Sequence, residues 1–135
     1  MNEQAIIKQV QEGVAKANHT DNISELIALN LKINGYMMYF SQYESDMLKE
    51  KLIAYNERKN FEALFIVKSD KGVTMAEKEA TVASKEYREK EIETEVTYNA
   101  ARSFRSQVNG FCDALTQKIA NLRREAELNK FIENK

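Results

Sequence analysis

No proline interrupts the 135 residues, and glycine occurs only four times. Proline is the residue that most firmly ends a helix. Inside one it removes a backbone hydrogen bond and clashes with the preceding turn, at a cost of about 3 kcal/mol. A chain without it can stay helical for dozens of residues if its apolar positions recur correctly. They do. Leu26, Ile33, Phe40, Met47, Ala54 and Phe61 fall seven apart, and Leu29, Met37, Tyr43, Leu48, Leu52, Leu64 and Phe65 widen the stripe. This spacing predicts one helix over 23–69, roughly 70 Å long at 1.5 Å per residue. An isolated helix is marginal in water, so this one needs a partner along its length.

The partner follows a short break. Ser69, Asp70, Lys71 and Gly72 read as a turn, with the glycine suited to a left-handed conformation. Thr74 with Glu77 then fits a capping box, so a second long helix is expected from Met75 to about Asn129. Its first half is charged, with a thin seam of Ala80, Ala83, Tyr87 and Ile92. Its second half carries a firm stripe of Ala101, Phe104, Val108, Phe111, Leu115, Ile119, Leu122 and Ala126. Long helices joined by a few residues pack antiparallel. A turn at Gly72 sets residues 36–40 against 104–108, and residues 80–87 against 55–64.

At the N-terminus, Ile6, Val10, Val14 and Ala17 predict a short amphipathic helix over 3–17. Residues 18–22 break it, His19 lies in that break as a capping or solvated residue, and Asn22 with Glu25 fits another capping box. The expected fold class is therefore all-α. A short N-terminal helix in residues 1–20 precedes a long antiparallel helical hairpin in 21–135, with the turn near 69–74.

A thin hairpin buries less of its surface than a globule does, so a homo-oligomer with coiled-coil character is expected. Five large apolar residues run together at 36–40 and cover most of the helix circumference, which predicts contact with more than one neighbouring helix. The candidate oligomer-interface residues are Tyr36, Met37, Phe40, Phe65, Leu115, Ile119 and Leu122. Gly35 and Gly110 fall nearly opposite each other in this register. Either that is chance or small residues admit a close backbone approach there.

Chemistry is harder to find. One histidine and one cysteine exclude histidine-pair metal sites, cysteine-based zinc sites and an intrachain disulfide. No Gly-rich phosphate loop or nucleophile elbow is present. Cys112 reads as a small buried hydrophobe. Glu89, Glu91, Glu93 and Glu95 alternate, so a helix spreads them around a solvated face. Lys85 with Glu89, and Glu86 with Lys90, are stabilising pairs four apart. The expectation is a protein that is not an enzyme, with no metal and no cofactor. Residues 1–13 lack the pattern of a signal peptide, and residues 63–67, the longest apolar run, are too short for a membrane span. A cytoplasmic location is expected.

Binding remains. The net charge is −1, so any nucleic-acid contact must come from a local patch or from repetition in an oligomer. The charge is uneven: residues 61–100 carry six Lys/Arg against nine Asp/Glu, and residues 101–135 carry seven against four. Basic residues near aromatics suit single strands, because charge meets phosphate while rings stack on bases. The candidates are Lys51, Arg58 and Lys59, Lys68 and Lys71 at the turn, and Arg102 and Arg105 opposite the aromatic belt.

Two segments carry a resemblance: Asn34-Gly35-Tyr36-Met37-Met38-Tyr39, and Gly110-Phe111-Cys112-Asp113-Ala114-Leu115 followed by Lys118, Leu122 and Arg123. With the helix order around them, over roughly 23–128, the chain resembles the phage recombination mediators of the UvsY type. The resemblance implies a ring-like homo-oligomer that binds single-stranded DNA in an infected bacterial host. It also implies partners: a RecA-like recombinase, which the protein helps to load, and the single-stranded-DNA-binding protein that coats the strand. That family places basic residues just before the turn. Here Ala63, Leu64, Phe65, Ile66 and Val67 stand there, flanked by Arg58, Lys59, Lys68 and Lys71. The apolar run beside the turn keeps a second reading open, a helical phage protein–protein adaptor or inhibitor without nucleic-acid binding. A coiled-coil spacer is a third.

Overall fold

The computed structural model describes residues 2–134, so Met1 and Lys135, the ends of the two expected segments, lie outside the described residues. The chain is all-α. The described residues form α1 (Glu3–Asn18), α2 (Ile23–Lys68), α3 (Val73–Ala83) and α4 (Lys85–Glu133), with no strand among them.

Local chemistry sets the boundaries. Asn2 caps α1 by accepting the Ala5 N–H at 2.8 Å, and α1 ends where the His19 N–H donates to the Lys16 carbonyl. Asn22 accepts the Glu25 N–H at 3.0 Å and starts α2. The reciprocal half of that capping box is replaced. The Glu25 carboxylate accepts the Thr20 hydroxyl at 3.1 Å, and the Asn22 N–H donates to Thr20 Oγ1 at 3.2 Å.

Two boundary expectations are corrected. Gly72 is extended, at φ −60° and ψ 154°, and serves as the N-cap of α3 with no side-chain bond. Its carbonyl accepts the Ala76 N–H at 2.9 Å, so the helix begins at Val73 and Thr74 lies inside it, where it cannot cap. The expected single helix over 75–129 is interrupted at Ser84, between α3 and α4. The Ser84 hydroxyl donates to Glu62 Oε1 at 2.8 Å and lies 3.2 Å from the Thr81 carbonyl. Such side-chain bonds compete with helical backbone geometry. The interruption is slight, because the Ser84 N–H still reaches Ala80 O and the Arg88 N–H still reaches Ser84 O, both at 2.9 Å.

The chain divides into two compact units: Met1–Tyr43 with Ser103–Lys135, and Glu44–Arg102. The first has an apolar core. Ala17, Leu26, Leu29, Leu115 and Ile119 form one buried cluster, flanked by Ile23, Ile27, Phe111 and Leu122. Ile6, Val10, Ile33, Met37, Phe40 and Val108 are buried as well, and Phe40 meets Phe104 edge-on at 5.0 Å. Full burial of each Leu, Ile or Phe contributes about 1.5–3 kcal/mol, so this unit carries much of the fold's stability. Of the two readings of Gly35 and Gly110, chance is the one that fits, and close helix approach falls at Gly13 instead. A Cβ on Gly13 would stand 3.1 Å from Ile33 Cγ1, whereas Gly35 and Gly110 each face open space.

The second unit is built differently. Its buried apolar residues are all alanines, Ala54, Ala76, Ala80 and Ala101, and its seam is filled by polar groups. Ser84 is fully buried. Glu62 accepts from Ser84 and from Arg88 Nη2 at 2.7 Å, and Arg58 pairs with both Glu62 and Glu91. Tyr87 stacks on Phe61 at 4.7 Å. The thin seam is thus corrected: Ala80 and Tyr87 take part, while Ala83 and Ile92 are exposed. Glu91 is also corrected, from a solvated face to the seam. Lys90 pairs with Glu57 at 3.8 Å, not with Glu86, while Lys85 does reach Glu89 at 3.8 Å. Within this unit the α2 and α4 segments run in opposite senses, with Lys51 against Tyr98, Arg58 against Glu91 and Glu62 against Arg88. That register is shifted by roughly one helical turn from the expected one.

Candidate nucleic-acid interface

The seven basic candidates separate by what their charges already do. Arg58 is corrected as a free cation. Its side chain is 13% exposed and is held by Glu62 and Glu91. Bonding to Glu91 raises its pKa above the ordinary value despite the cost of burial. Lys71 pairs with Glu79. Arg105 donates to the Met37 carbonyl at 3.2 Å and to Ser41 Oγ at 2.7 Å, and so ties α4 to α2 inside the first unit. Lys68 is exposed.

Lys51, Lys59 and Arg102 remain, all in the second unit, and none has a carboxylate partner among the described residues. Each lies over a tyrosine ring. Lys51 Nζ is 5.3 Å and the Arg102 guanidinium carbon 5.8 Å from the Tyr98 centroid. Lys59 Nζ is 5.6 Å from that of Tyr55, with Arg58 at 5.4 Å. A cation within about 6 Å of a ring centroid is attracted by the ring's π face. These contacts hold the cations near the rings without neutralising them.

Helical geometry puts them on one side. At about 100° per residue, Leu48, Leu52, Tyr55 and Lys59 form a ridge of α2 flanking the seam. Ile92 and Val96 form the matching ridge of α4, and both ridges are exposed. In an antiparallel pair, equal angular offsets from the seam fall on the same side, so the two ridges share one face. Glu57 and Lys90 occupy the other flank. The sequence reading missed Tyr55, Tyr98, Leu52, Ile92 and Val96. The signal available was spacing: Lys51, Tyr55 and Lys59 stand four apart, as do Tyr98 and Arg102.

The oligomer-interface candidates are also redistributed. Met37, Phe40, Leu115 and Ile119 are buried in the first unit's own core, and Leu122 packs against it. The first four are corrected, because a side chain filling its own core is not offered to a second copy, whereas Leu122 is only half-buried. Tyr36 is half-buried with Lys32 at 6.0 Å over its ring, and Phe65 is half-buried beside Phe61. In the run at 36–40, Met37 and Phe40 are buried, while Met38 and Tyr39 are 78% and 69% exposed. Cys112 is half-buried. Burial first, and then the Asp113 charge, push its thiol pKa up and hold it protonated. No helix is long and apolar enough to cross a membrane, among the described residues.

Compared with family models, curated proteins and solved structures, the chain matches none. Function must therefore be argued from the residues.

Proposed function

We propose that this chain is a non-enzymatic, single-stranded-DNA-binding recombination mediator that helps to load a RecA-like recombinase onto strands coated by single-stranded-DNA-binding protein. The observation that carries the binding step is the pair of tyrosines in the second unit. Each lies within 6 Å of two cations, and Lys51, Lys59 and Arg102 have no carboxylate partner among the described residues. Charge for phosphate and rings for bases are the two parts of a single-strand site. The loading role, the recombinase and the coating protein rest on the UvsY-type resemblance alone, as does the setting in an infected bacterial cell.

Self-association belongs to the same reading. In the second unit Leu52, Ile53, Ile92 and Val96 are exposed. Leu31, Met38 and Tyr39 add exposed apolar surface in the first unit. Repeating a modest site around a homo-oligomer raises avidity without new contacts.

The test is a fluorescence-anisotropy titration of a labelled single-stranded oligonucleotide over a range of salt. Binding that weakens with salt supports the proposal. Absence of binding at low salt rejects it.

A second reading has its own observation. Leu64, Val67, Val73 and Met75 are exposed around the α2–α3 connection, which suits docking on a protein partner. A complex that survives nuclease treatment and is lost in Val67→Glu favours that adaptor reading.

A further inference from the structure

The same face supports a more specific inference, which rests on the single-strand reading above. We propose that the second unit takes its strand by the bases, with Tyr55, Tyr98, Leu52, Ile92 and Val96 as the base-contacting surface and Lys51, Lys59 and Arg102 as its phosphate rim. The ligand class is single-stranded nucleic acid with unstacked bases, bound without sequence preference.

The packing of this unit is inverted. In this unit the seam between helices holds charge and hydroxyl, through Arg58, Glu62, Ser84, Arg88 and Glu91, while aliphatic side chains face outward. Ile92 is 61% and Val96 62% exposed on one ridge, and Leu52 is 52% exposed on the other. Phosphate gains nothing from such a surface. Glu95, exposed between Ile92 and Val96, repels it there. The flat apolar faces of bases do gain from it, at about 1–3 kcal/mol for each base stacked on an aromatic side chain. The three cations then lie where phosphates run if the bases point inward. Charge complementarity with a polyanion also separates this occupant from a purely apolar one. Duplex DNA presents phosphates with its bases already stacked, so it meets only the rim.

The discriminating experiment compares two labelled 15-mers by anisotropy: oligo-dT and an abasic deoxyribose-phosphate strand of equal length and charge. The expected result is at least tenfold tighter binding of oligo-dT, with similar salt slopes. Val96→Ser and Tyr98→Ala shrink that preference and leave the slope unchanged. Lys51→Ala with Arg102→Ala leaves the preference and flattens the slope by about 1.4, at roughly 0.7 per phosphate contact on a single strand. Tyr98→Phe, which keeps the ring, retains wild-type preference and guards against a simple folding defect. Equal binding of the two strands overturns this inference and leaves single-strand binding standing. No binding of either strand at low salt rejects both. A mass in solution that halves in Val96→Glu also overturns it, because the face is then covered by a second copy of the chain.

Discussion

Ser84 Oγ lies 2.8 Å from Glu62 Oε1 where α3 gives way to α4. The serine is fully buried, and its bond to Glu62 lets a hydroxyl take the place in the seam that the sequence pattern gives to Ala83. Glu62→Ala removes the acceptor for Ser84 and for Arg88 together. Arg88 is 41% exposed and finds water, and Arg58 keeps Glu91. The loss is therefore expected at about 1–3 kcal/mol, below that for breaking a fully buried ion pair. Urea unfolding measures it, and a loss within a few tenths of a kcal/mol would show that the network does not hold the seam.

The same carboxylate sets a pH dependence. Burial opposes its ionisation, but bonds from Ser84 and Arg88 and the charges of Arg88 and Arg58 outweigh that, so its pKa lies below the ordinary value. A depressed folded pKa makes its contribution complete above the usual carboxylate range. The contribution is lost as pH falls through the depressed value. The stability gap between wild type and Glu62→Gln, followed by urea unfolding from neutral to acid pH, is expected to close as pH falls. A constant gap contradicts the assignment.

The Glu62 network lies in the part of the fold least legible in the sequence. Helical class, the break at residues 18–22 and the stripe from Leu26 to Phe40 all follow from period and capping chemistry. They held because burial in the first unit is apolar. In the second unit the stripe fails at Leu48, Leu52 and Leu64, which are exposed, and at Glu91, which lies in the seam. A hydrophobic pattern cannot reveal a seam made of ion pairs, because the same residues also suit solvent. The candidate site was half legible for the same reason. Lys51, Lys59 and Arg102 were visible as charges, but their separation from Arg58 needed the partners of each.

In the first unit, the Lys118 ammonium lies 3.2 Å from the Ala17 carbonyl, 2.9 Å from that of Thr20 and 3.3 Å from the Asp21 carboxylate. It satisfies carbonyls left free where α1 ends. Lys118→Met keeps the aliphatic stem and removes the charge, and is expected to cost about 1–2 kcal/mol. Hydrogen exchange should quicken along α1 far more than in the middle of α2. Uniform acceleration would argue against a local role.

The glycines give a contrast in sign. Gly35→Ala and Gly110→Ala meet open space and should each stabilise the protein by about 0.5–1 kcal/mol, the gain of alanine over glycine in a helix. Gly13→Ala puts a Cβ 3.1–3.2 Å from two carbons of Ile33, itself only 1% exposed. Ile33 has little room to yield, so the propensity gain is expected to be cancelled or reversed. Melting temperatures of the three variants decide this, and three equal increases would show that α1 does not approach α2 closely at Gly13.

The proposed site puts a single strand on the face of Tyr55 and Tyr98 in the second unit. Ultraviolet crosslinking of the full chain to a single-stranded oligonucleotide, with the modified peptides located by mass spectrometry, tests it most directly. Crosslinks within residues 48–59 and 92–102, lost on competition with unlabelled strand, are the predicted result. Crosslinks confined to the first unit, or none under conditions where a known single-strand binder gives them, would contradict it.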